Sequence, residues 1–112
     1  MIEQLPGAPV EQVTKALAGR GWLHYHRNAF DAFLSDTEAA LSKDPALNFA
    51  AFNLGLALLA CGRDMDALAA YKLAADQFPD AVETLGLCDL AEAERVWLTE
   101  DRSTRVLRLL RI

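Results

Sequence analysis

NFAAFNLGLALLACGRDMDALAAYKLAADQFPDA, residues 48–81, decides the fold. Two alanine- and leucine-rich stretches of helical length flank Cys61-Gly62-Arg63, and Pro79 closes the second. Ala and Leu lose little side-chain entropy in a helix, so the composition favours helix over strand. Gly62 suits the left-handed position that ends one helix. Asp64 and Asp66 then stand where negative charge favours the start of the next. Gly55, Ala67 and Ala74 are small, as close helix crossings require, and Tyr71 is large enough to fill the space between neighbours. Pro79 cannot continue the helix before it. The stretch reads as an antiparallel helix pair.

The same pattern recurs upstream. Shifted by 34 residues, Gly21 falls on Gly55, Ala40 on Ala74 and Pro45 on Pro79. Three coincidences of special residues at one offset mark an internal repeat over residues 14–47 and 48–81. From residue 82 to 112 the pattern degenerates: Leu85-Gly86 recurs early and no closing proline follows. Terminal repeats are atypical because they cap the stack against water.

The order Leu54-Gly55, Gly62, Ala67, Tyr71, Ala74, Pro79 resembles the tetratricopeptide repeat family. The resemblance spans residues 14–98 and is strongest in the middle third. It departs at Ala51, where the family has a large aromatic, at Arg20, where it has leucine, and at Phe33, where it has a small residue. It implies an all-α fold: a tetratricopeptide-like α-solenoid of three antiparallel helix pairs, wound as a right-handed superhelix. Residues 9–112 are expected to form a single domain behind an N-terminal extension, 1–8. Helices are expected near 9–26, 29–43, 45–61, 64–78, 80–98 and 100–111.

The chain has 112 residues and a formal net charge of -5. Phosphate backbones are bound by clustered Lys and Arg, so this balance argues against a nucleic-acid partner. Arg102, Arg105, Arg108 and Arg111 form a local exception. They read as a solvated helix face near Glu92, Glu94, Glu100 and Asp101, or as a patch for anionic lipid or an acidic partner. Four arginines bind a membrane only marginally without a second anchor. The start MIEQLPGAP lacks the basic and apolar regions of a signal peptide, and no apolar run reaches the length of a membrane span. Cys61 and Cys88 lack metal-ligand spacing and read as buried free thiols, so a cytoplasmic location is expected.

No catalytic constellation is expected. His24 and His26 are two apart on a helix, point to different faces and cannot share one ion. No serine lies in a G-x-S-x-G elbow. Gly19 and Gly21 flank Arg20 without the preceding strand of a phosphate loop. The expectation is therefore no enzyme, no metal and no cofactor.

The family resemblance implies that the first helix of each pair lines a concave groove where partners bind. Carried over, it places Lys15, Ala18, Trp22 and Tyr25 there from the first pair. Phe49, Phe52, Asn53, Leu56 and Leu59 come from the second, and Glu83, Gly86, Leu87 and Leu90 from the third. Candidate partner-binding residues are Trp22, Tyr25, Phe49, Phe52, Asn53 and Leu56. Such a groove suits an apolar peptide or helix of a protein partner. It can equally be filled by the chain's own N-terminal segment, by its last helix, or by a second copy in a homodimer. Members that clamp a chaperone C-terminal carboxylate carry groove cations. Asn53 matches one of their positions, but Ala18, Trp22, Glu83 and Leu87 replace the others, so carboxylate clamping is not expected. The expected role is a scaffold or adaptor. The alternatives are a structural homo-oligomer and an accessory domain of a larger enzyme.

Overall fold

A computed structural model describes residues 10–110. Among them the regular elements are all helical: α1 (Val10–His26), α2 (Phe30–Lys43), α3 (Asn48–Ala60), α4 (Asp64–Gln77), a 3-10 turn (Pro79–Ala81), a π-helical turn (Val82–Leu87), α5 (Cys88–Glu94) and α6 (Glu100–Leu110). The expected N-terminal extension, the first residue of the expected first helix and Arg111 lie outside the described residues.

The first two helix pairs follow from residues identified above. Arg20 meets Asp36, Gly21 meets Phe33 and Tyr25 meets Phe30, so α1 and α2 run antiparallel. Asn28, with a φ of 61°, turns the chain between them. Asn tolerates this left-handed conformation better than most residues. Gly62, with a φ of 79°, makes the corresponding turn between α3 and α4. A Cβ placed on Gly55 would lie 2.7 to 2.8 Å from ring atoms of Tyr71, so only glycine lets α3 and α4 approach this closely. At the equivalent position 34 residues earlier, a Cβ on Gly21 would lie 3.2 Å from Asp36 Cβ. Ala40 and Ala74, also 34 apart, are both fully buried. Apolar on all sides, α3 lies at the centre of the core, as such a helix must.

Two boundaries differ from expectation. The third helix starts at Asn48 rather than at residue 45. Asp44 explains the delay: its side chain accepts the Ala46 N–H at 3.1 Å and its carbonyl accepts the Leu47 N–H at 3.2 Å. These bonds close a turn that competes with helix. The expected single helix over 80–98 is a 3-10 turn, a π turn and the short α5. Past Glu94, the N–H groups of Val96, Trp97 and Leu98 all fold back onto the Ala93 carbonyl. That reversal swings Trp97 towards α1 and launches α6 back across the molecule.

Each side chain on the inner face of α6 has a counterpart. Ser103, Val106 and Leu110 are buried, at helical spacing, while Arg105 and Arg108 face outward. Ser103 donates to Glu94. Arg102 forks onto Asp64 at the start of α4 through bonds of 2.8 and 2.9 Å. It also donates to the Leu59 carbonyl at the end of α3 and lies over the Trp97 ring, 5.9 Å from its centre. Donation from Arg102 holds the Asp64 carboxyl below the usual carboxylate range. A planar guanidinium suits this site because it satisfies a carboxylate, a carbonyl and an aromatic face at once.

Candidate functional site

The six expected groove residues separate into two groups. Tyr25, Phe52 and Leu56 are core residues, 7%, 1% and 1% exposed, whereas Trp22, Phe49 and Asn53 are half-buried. An open aromatic stripe is therefore not what these residues form. Part of the cover comes from the chain's own later segments. Gly86 sits against the Phe52 ring on one side and Leu110 on the other; a Cβ there would meet both at 3.3 Å. Trp97 covers Tyr25, donating from Nε1 to the phenol oxygen at 2.9 Å, and packs on Phe30 with ring centres 5.6 Å apart. Trp22 stacks on Tyr25 at 5.0 Å and meets the edge of His26. His24 turns the other way, with Nε2 3.7 Å from Asp36. The two histidines thus serve different neighbours, as their spacing predicts.

Among the described residues, one part of the surface after α4 remains open. A cleft of about 1090 Å³ lies between the end of α4, the π turn and the end of α6. Val82, Leu87, Leu109 and Leu110 contribute its apolar surface, and Asp80 and Glu83 stand among its lining residues. Lys72 and Asp76 also line it and pair with each other at 3.2 Å. Glu83 and Leu87 were placed on the groove side by sequence. Leu109 and Leu110 were not, although a Leu-Leu pair at the end of an arginine-spaced helix is a visible signal. The cleft exists because Pro79 ends α4 and the chain loosens into 3-10 and π turns instead of continuing flush against its neighbour. A π turn widens the backbone, and such turns are frequent at functional sites.

A second feature lies in the core beside α5. The Tyr71 hydroxyl is fully buried and has no hydrogen-bond partner among the described residues. Burial, and then the nearby charge of Asp89, pushes its ionisation far above the ordinary phenol range. Tyr25 completes the surroundings; its pKa is raised by burial and partly offset by the bond from Trp97. The Asp89 carboxyl makes no hydrogen bond among the described residues, and burial together with the charge of Glu92 pushes its pKa up to about 6.

The Asp89 carboxyl costs stability when ionised. The native state holds its proton more tightly than the unfolded chain does, so the contribution of this group to stability is greatest below the ordinary carboxylate range. It falls as pH rises through about 6. Asp89→Asn is expected to be more stable than the parent at pH 7.5, by about 1 kcal/mol after allowance for solvent screening of a half-buried group. At pH 4 the two should be nearly equal. Urea denaturation at both pH values measures the difference, and an equal difference at both would mean that Asp89 does not titrate in this range.

Among the described residues, no helix is long and apolar enough to cross a membrane. Comparison with protein-family models, with curated proteins and with solved structures finds no match to this chain.

Proposed function

We propose that this chain is a non-catalytic protein-binding module of the tetratricopeptide-repeat kind. It takes an apolar segment of a partner into the open cleft beside α6 and serves as a scaffold or adaptor. The 34-residue period supports the repeat architecture, and so do the close helix approaches at both Gly21 and Gly55 and the full burial of both Ala40 and Ala74. The observation that carries the binding role is the cleft itself. Val82, Leu87 and Leu109 remain partly accessible, with buried Leu110 beside them, around a concave volume that holds several side chains, whereas the more exposed Leu23, Met65, Leu73 and Val96 lie outside it. Concave apolar surface with a few polar groups is where proteins take ligands.

The reading moves the binding surface from Trp22, Tyr25, Phe49, Phe52, Asn53 and Leu56 to the end of the molecule where α6 leaves the third-repeat segment uncovered. Selection of a displayed random-peptide library on the parent chain tests it. Binders are expected, and Leu87→Glu should weaken them about tenfold or more while circular dichroism stays unchanged, because a charge on the cleft wall opposes apolar contact. Absence of binders, or binders indifferent to Leu87→Glu, would remove the cleft as a binding surface.

A further inference from the structure

The cleft carries an imbalance of charge as well as an apolar surface. Among the described lining residues, three carboxylates, Asp76, Asp80 and Glu83, face one cation, Lys72, and Lys72 is already engaged by Asp76. Asp80 and Glu83 are exposed and make no ion pair or hydrogen bond among the described residues. Both stand next to low-dielectric wall: Asp80 precedes Ala81-Val82, and Glu83 sits one residue past Val82 and four before Leu87. A charge beside an apolar surface acts on an approaching ligand more strongly than the same charge in open water. The whole chain, at -5, adds a long-range field of the same sign.

Resting on the binding role proposed above, we infer that the cleft's partner is a segment of another protein with Lys or Arg flanking apolar side chains. Leucine-like groups enter between Leu87 and Leu109–Leu110, and the flanking cations reach Asp80 and Glu83. An acidic segment of equal apolarity is disfavoured by the same two carboxylates, which would then face like charge with Lys72, already paired with Asp76, as the only cation among the described lining residues. Apolar contact holds the segment and charge chooses it.

Two labelled amphipathic peptides test this, with leucines at identical helical spacing and either lysines or glutamates at all other positions. Fluorescence anisotropy in low and high salt reads their affinity. The lysine peptide is expected to bind about tenfold or more tighter than the glutamate peptide, with the margin shrinking in salt. Asp80→Asn with Glu83→Gln should erase most of that margin. Glu38→Gln with Asp101→Asn changes the net charge equally at exposed positions away from the cleft and should preserve it. If the remote pair of substitutions erases the margin as fully, the preference comes from overall charge and the inference fails. If both peptides bind equally and Leu87→Glu releases both, the charge inference fails and the binding role stands. If neither binds, both fail. A second copy could offer Arg105 and Arg108 of its α6 to the same carboxylates. Sedimentation showing a dimer that Asp80→Asn with Glu83→Gln dissociates would replace the foreign segment with self-association.

Discussion

Tyr71→Ala is expected to lower stability by about 3–5 kcal/mol, whereas Tyr71→Phe should leave it unchanged or raise it. The ring and the hydroxyl have opposite effects. The ring lies flat against Gly55, where no Cβ could stand, and joins α3 to α4 at the centre of the core. Truncation leaves a cavity that the glycine beside it cannot fill. The hydroxyl is buried without a partner among the described residues, so its desolvation is uncompensated. Removing it relieves that cost and takes a polar group away from Asp89. Urea midpoints of the two variants, compared at one pH, read the sign of each change. A Tyr71→Phe variant clearly weaker than the parent would mean that the hydroxyl has a partner, such as a bound water.

Phe52 gives the second large effect. Phe52→Ala is expected to cost about 3–5 kcal/mol, and Phe52→Glu to leave little folded protein at room temperature. The reason is position: the ring is enclosed against Gly86 and packs in the same core as Leu56 and Leu90. A domain of this size has about 5–15 kcal/mol of total stability, so a buried uncompensated carboxylate takes most of it. Circular dichroism and urea titration separate this from a binding role. If Phe52→Glu instead stays fully helical while amides of α6 exchange quickly, the last helix lifts from its seat and the inner groove is a surface after all.

That contrast shows what the sequence could and could not convey. Periodicity assigns a face. The family resemblance, carried over at the 34-residue phase, grouped Trp22, Tyr25, Phe52 and Leu56 on one side of their helices, and the structure packs Tyr25, Phe52 and Leu56 inward in one core. Nothing local to Phe52 says which segment lies over it, because Gly86 is far away in sequence and Leu110, beside Gly86, returns only after the turn at residues 95–97. Five of the expected helices stand as α1, α2, α3, α4 and α6, and at α3 and α4 Gly62, Asp64 and Pro79 each give a local reason for a boundary. The late start of α3 was missed because Asp44 reads equally well as a helix cap and as a turn residue, and only its bonds to Ala46 and Leu47 decide. The break at Val82–Leu87 has no sequence signal beyond the early recurrence of Leu85-Gly86. The cleft follows from that break, so it was equally hidden, and only Glu83 and Leu87 were named in advance.

Because Arg102 ties α6 to both Asp64 and Leu59, a helix made after α1 to α5 is the one that completes the middle of the molecule. During synthesis α1 to α4 leave the ribosome first, and domains begin to fold in that order. Until Ser103, Val106 and Leu110 emerge, the inner side of α3 around Phe52 has lost one of its seals and Asp64 waits without its arginine. The nascent protein therefore passes through a stage in which its most apolar helix is incompletely covered. Chaperone demand should rise for any chain stopped short of α6.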